Sequence, residues 1–180
     1  SSFSNFDINI TIPENFEIGA SSNPIKIIKN SNNTKTLFFQ AMGYRDFAWF
    51  ATNDFYEISE QFGTEKIQPV NIKLYLQNSN KKRVERILYA IKNGIKYYNE
   101  WISPFPFNTI TIIDLPRTCF TSFSSYPGLF TFYSDYFLPD DDLLLEERII
   151  SSLGRQYFSF SMNINNVEEP WIDGGIVTFL

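Results

Sequence analysis

Residues 146–180 read EERIISSLGRQYFSFSMNINNVEEPWIDGGIVTFL, and the reading of this stretch decides the fold. Its first part follows the acidic run Asp140-Asp141-Asp142, which suits the N-terminus of a helix because a helix start favours negative charge. Residues four apart on a helix lie on one face, so Ser151 and Arg155 share a face, with Ser152 beside the first. A helix-borne zinc site needs two histidines at that spacing and a carboxylate base next to the first. The chain contains 0 histidines. Serine is a poor zinc ligand, and the arginine guanidinium is a permanent cation.

The flanks of these positions carry a resemblance. Gln156-Tyr157-Phe158 and Glu168-Glu169-Pro170-Trp171-Ile172-Asp173-Gly174-Gly175 resemble the aminopeptidase N-type family of gluzincin, thermolysin-like zinc metallopeptidases. The family pattern runs roughly His-Glu-x-x-His-Gln-Trp/Tyr-Phe, then Trp-Leu-Asn/Asp-Glu-Gly. The resemblance places the two ligand histidines at Ser151 and Arg155, the general base at Ser152 and the third ligand at Gly174. The eighteen residues separating Arg155 from Gly174 match the family spacing.

Upstream, Ser124-Ser125-Tyr126-Pro127-Gly128-Leu129 resembles the family's edge strand, Gly-x-Met-Glu-Asn/Tyr-Pro-Gly-Leu. There the family's Glu anchors the substrate amino terminus and the strand backbone pairs with the substrate. Ser124 and Ser125 stand at the Met and Glu positions, so the exopeptidase anchor is absent along with the ligands. Tyr44-Arg45-Asp46-Phe47-Ala48-Trp49-Phe50-Ala51 resembles a segment near the end of the family's N-terminal β-domain, and as plain sequence it reads as a buried aromatic strand. The corner Trp101-Ile102-Ser103-Pro104-Phe105-Pro106-Phe107 resembles the one after the family's first catalytic-domain helix.

The rest reads from periodicity. Phe6 to Ile12 alternates as a half-buried strand, Pro13-Glu14-Asn15 turns, and a strand beginning at Phe16 is broken from Gly19 to Asn23. Ile25 to Ile28 and Lys35 to Gln40 form a hairpin about Asn30-Ser31-Asn32-Asn33. Pro69 to Gln77 is an alternating strand, and a domain boundary is placed just before it, near Thr64 to Ile67. Ser79-Asn80 offers a cap to a helix whose Val84, Ile87, Leu88, Ile91, Ile95 and Tyr98 share a face. Thr109 to Leu115 is a buried strand. The expected architecture is α+β: residues 1–66 form the end of an N-terminal β-sandwich domain, and residues 67–180 the first part of a thermolysin-like catalytic domain.

Bulk properties narrow the function. Hydrophobic residues make up 43% and aromatics 18% of 180 residues, the composition of a packed protein. A net charge of −5 without a dense basic run argues against nucleic acid. The single cysteine, Cys119, forms no internal disulfide and lacks an imidazole partner, and Ser151 and Ser152 have no nearby base. No cofactor and no metal are expected; a calcium loop at Asp140 to Asp142 lacks the required carboxylate spacing.

The expected function is a catalytically inactive, aminopeptidase-like domain that binds an extended peptide or another protein segment. The candidate residues are Ser124, Ser125, Tyr126, Gly128, Arg155 and Asp173. Arg155 either pairs with Glu168, Glu169 or Asp173, or binds a ligand carboxylate. The alternatives are a metallopeptidase, as family membership implies, and a purely structural domain. The Asn-, Lys-, Ile- and Phe-rich composition suggests an AT-rich bacterial genome, and the resemblance suggests part of a larger cell-envelope or membrane-linked protein. Ile176 to Leu180, reading as an interrupted helix, is expected to self-associate or to be covered by a partner.

Overall fold

The computed structural model describes residues 3–116, 124–133, 139, 142–158 and 175. It is a mixed α+β protein, with ten strands and two α-helices among the described residues.

The first sheet forms from the period-2 pattern near the N-terminus. β1 (Ser4–Pro13) turns Phe6, Ile8, Ile10 and Ile12 to one side and its polar residues to the other. It pairs antiparallel with β4 (Thr34–Tyr44), which also pairs with β3 (Pro24–Lys29), giving the order β1-β4-β3. The turn between β3 and β4 places Asn33 at φ 56, the left-handed region that asparagine tolerates. β2 (Glu17–Ala20) and β5 (Trp49–Thr52) form a separate antiparallel pair. Ile10, Ile12, Ile18, Ala20, Leu37 and Phe39 make a small core, against which Phe47 and Ala51 pack.

Two sequence expectations change here. β2 continues through Gly19 to Ala20 instead of breaking at Gly19. Glycine is used there for space: a Cβ would lie 2.4 Å from Phe50 and 2.8 Å from Tyr75. The aromatic segment Tyr44 to Ala51 is not one buried strand. It is irregular from 46 to 48, and Trp49 is 50% exposed at the start of β5.

The second sheet has the order β6-β7-β8-β10-β9. β7 (Ile67–Leu76), β8 (Thr109–Asp114) and β10 (Leu129–Phe132) run parallel, while β6 (Tyr56–Thr64) and β9 (Ser125–Tyr126) are antiparallel edges. The connection from β7 to β8 runs through α1 (Val84–Trp101), as parallel neighbours require a crossover. One face of this sheet, with Ile72, Leu74, Ile110, Ile112, Phe130 and Phe132, packs against α1 and α2 (Leu144–Phe158). The other face meets β2 and β5. There the Tyr75 hydroxyl donates to the Ile18 carbonyl at 3.0 Å, and the Thr111 hydroxyl donates to the Ala20 carbonyl at 2.7 Å.

β6 pairs with β7 from Tyr56 to Thr64, and its Ile58 and Phe62 pack on the second core. The division placed at Thr64 to Ile67 therefore passes through a hairpin, and the two cores part before Tyr56. Both strands alternate, and alternation does not say which core a strand faces. The Ser79-Asn80 cap is also corrected. A 3₁₀ turn (Asn78–Arg83) precedes α1, with no side-chain cap bond. Asn80 is instead buried and donates to Asp114 at 2.6 Å, satisfying a fully buried carboxylate that also accepts from the Gln77 amide.

The two helices approach closely because glycine faces the neighbouring helix on each. A Cβ at Gly94 would lie 2.6 Å from Leu153, and one at Gly154 would lie 3.0 Å from the Tyr98 hydroxyl. Arg86 of α1 grips the carboxylate of Glu146 on α2 through two bonds, one of 2.7 Å, and also donates to the Asp142 carbonyl. The hydrogen bond from Arg86 holds the Glu146 carboxyl below its usual range.

Candidate functional site

β9 and α2 meet at Gln156. Pro127 and Gly128 close the two-residue turn between β9 and β10, and Gly128 takes φ 70, which an L side chain rarely adopts. Space demands glycine as well, since a Cβ would lie 2.3 Å from the Ser21 carbonyl oxygen. The Gly128 amide donates to the Gln156 side-chain oxygen at 2.9 Å, and the Gln156 amide nitrogen donates to the Ser125 hydroxyl at 2.8 Å. Gln156 is fully buried, so both ends of its amide are used to clamp the hairpin to the helix. Sequence reasoning treated Gln156 only as part of a motif flank. A lone glutamine in an amphipathic helix carries no mark of such a role, because both partners lie about thirty residues earlier.

β9 is the edge of the five-stranded sheet, but the single edge strand expected from Ser124 to Leu129 is a hairpin: the chain turns at Pro127-Gly128, and Leu129 begins the inner strand β10. The inner bonds of β9 fall on Ser124: the Thr131 amide donates to the Ser124 carbonyl, and the Ser124 amide donates to the Thr131 hydroxyl, each at 2.9 Å. Ser125 lies opposite Phe130 between these bonds. In an antiparallel ladder such a residue turns its backbone N–H and C=O away from its neighbour. Ser125 thus presents the outward-facing backbone groups of the edge, and no described strand pairs with them.

Side chains alternate across β9. Ser125 points to the helix side, where Gln156 meets it. Ser124 and Tyr126 point to the other side and line a groove of about 430 Å³ with Phe47, Trp49, Phe50 and Leu129. Trp49 and Tyr126 are 50% and 40% exposed, so the groove is rimmed by accessible aromatic surface.

On the helix side, Ser151, Ser152 and Arg155 line a smaller pocket of about 190 Å³ with Glu147 and Arg148. The spacing of four that joined Ser151 to Arg155 in the sequence does bring them together. Arg148 is anchored, donating to the Tyr133 carbonyl at 3.1 Å with its guanidinium 4.2 Å from the Tyr133 ring centroid. The Nε of Arg155 is buried and has no hydrogen-bond partner among the described residues, and no described carboxylate forms an ion pair with this side chain. Glu147 lies two helical turns away, too far along the axis for a direct pair.

These residues do not suit zinc. The positions that the resemblance assigns to metal chemistry hold two hydroxyls and a fixed cation, and a cation beside Arg155 is repelled. Among the described residues no three His, Cys, Asp or Glu side chains come together as a metal site. Asp173, Glu168, Glu169, Gly174 and Ile176 to Leu180 lie outside the described residues, as do Cys119 and Asp140-Asp141.

Of the candidate residues, Ser124, Ser125, Tyr126, Gly128 and Arg155 therefore fall around one sheet edge and the adjoining helix. Ser125 and Gly128 are tied to α2 directly, while Tyr126 belongs to the opposite face. No protein-family model matches the chain, and no curated protein matches it.

Proposed function

We propose that this chain is a catalytically inactive, aminopeptidase N-like protein that binds an extended peptide along the β9 edge. In this reading the β1–β5 region is the end of a β-sandwich domain, and the sheet with α1 and α2 is the first part of a thermolysin-like catalytic domain. The observation that carries it is the pairing of a strand edge at Ser125, which no described strand pairs with, with a helix face of Ser151, Ser152 and Arg155 in a chain without histidine. Strand addition supplies backbone hydrogen bonds that do not depend on the lost chemistry. A zinc-activated water has neither ligands nor a base at these positions.

The test is to incubate the purified chain with a degenerate library of extended peptides, recovering bound peptides and assaying cleavage in parallel. Saturable binding without hydrolysis is expected. Stoichiometric zinc, with hydrolysis of an aminoacyl reporter that a chelator abolishes, would return the protein to the metallopeptidases.

A further inference from the structure

β9 lies between α2, whose Gln156 meets Ser125, and an aromatic groove that Ser124 and Tyr126 line on the opposite face. Successive side chains of a strand point to opposite faces. A peptide continuing the sheet beyond β9 sends one side chain toward α2, where Ser125 and Gln156 already meet. It sends the next into the aromatic groove of Phe47, Trp49, Phe50 and Tyr126. On the α2 side the pocket offers Arg155, whose buried Nε has no described partner, together with the hydroxyls of Ser151 and Ser152, with Arg148 beside Ser152 and Glu147 two helical turns from Arg155. A buried guanidinium donor without an acceptor is costly, and a carboxylate is the group that satisfies a guanidinium fork best. The groove on the other side favours a large apolar side chain, because aromatic walls reward apolar area and offer little to a charge.

We propose that the ligand is an extended peptide in which a carboxylate, held by Arg155 with Ser151 and Ser152, directly adjoins a large apolar side chain held in the groove. The carboxylate comes from an Asp or Glu side chain or from the peptide's own C-terminus. This rests on the peptide-binding reading above and adds its specificity. It also reverses the polarity expected of an aminopeptidase edge, which holds an amino group: the cation now belongs to the protein and the anion to the ligand.

Calorimetry with the intact chain and four sets of short acetylated peptides tests this. The first carries adjacent Glu and Phe with an amidated C-terminus, and the second replaces Glu with Gln. The third replaces Phe with Ala. The fourth has Gln at the acidic position and a free C-terminal carboxylate after Phe. The first set is expected to bind at least about tenfold more tightly than the second and third. Tighter binding of the fourth set than of the second assigns the carboxylate to the C-terminus, and equal binding assigns it to the side chain. Arg155→Gln is expected to remove the preference for Glu over Gln while leaving the preference for Phe over Ala. Equal binding of the first, second and fourth sets to the unaltered chain overturns this inference and leaves peptide binding standing. Failure of every set to bind, in a protein whose circular dichroism shows it folded, overturns peptide binding on the edge and this inference with it.

Discussion

The two faces of α2 are built on different terms. On the inner face, Leu145, Ile149, Leu153 and Tyr157 recur at helical spacing and are at most 1% exposed. The polar groups nearest that face are answered: Gln156 uses both ends of its amide, and Glu146 receives the Arg86 fork. On the outer face, Ser151 and Arg155 line a pocket in which the Arg155 Nε meets no described acceptor. The inner face is a solved packing problem. The two faces of one helix therefore differ in whether their polar atoms meet described partners.

The comparison breaks most readily where the inner face meets the hairpin. Gly128→Ala puts a methyl against the Ser21 carbonyl at a backbone angle that favours glycine. A loss of about 3 kcal/mol in urea unfolding is expected. A loss below about 1 kcal/mol would show that the hairpin is not held where it is described. Gln156→Leu keeps the volume but strands the Gly128 amide and frees the Ser125 hydroxyl, so about 2 kcal/mol is expected by the same measurement. Unchanged stability there would remove the clamp from the account.

Glu146→Gln weakens the link between the helices and is expected to cost about 1 to 2 kcal/mol at neutral pH. Its sign with pH follows from the carboxyl's lowered folded-state pKa. The stabilisation is full above the unfolded pKa of about 4.3 and is lost as pH falls through the lower folded value. The gap between the unaltered chain and Glu146→Gln should accordingly narrow on acidification, as unfolding curves at pH 7 and at pH 3 would show. A constant gap would mean that packing, not the ion pair, carries the effect.

The smallest effect sharpens the contrast. Arg155→Gln should cost no stability and raise it by up to about 1 kcal/mol, because the side chain makes no described bond and its unanswered Nε is removed. A loss above about 2 kcal/mol would place Arg155 among the structural residues and erase the distinction between the faces.

Much of the architecture was readable from residue order. β1, β7 and the α1 face follow a local period that the folded chain keeps, the β3–β4 hairpin follows its turn residues, and β8 is the buried strand its run of residues implies. The spacing of Ser151 and Arg155 anticipated one lined pocket, because i to i+4 geometry is internal to a helix. The exceptions lay where a partner distant in sequence decides. Asn80 reads as a cap until Asp114 is placed beside it. β6 reads as part of the first domain until β7 is paired with it. The half-exposed Trp49 reads as core until β5 is seen to face a groove.

Residue order alone fixes the amphipathic period of β1 and α1 and the lack of any imidazole for a site. It also determined that a fixed cation stands one helical turn from a serine. These are matters of covalent order and local period. Tertiary contacts were needed to show that Gln156 joins α2 to the β9 hairpin, that Ser125 turns its backbone outward, and that an aromatic groove lies on the face of β9 opposite Gln156. Register and burial bring together residues about thirty to a hundred positions apart, and no local period carries information over that distance.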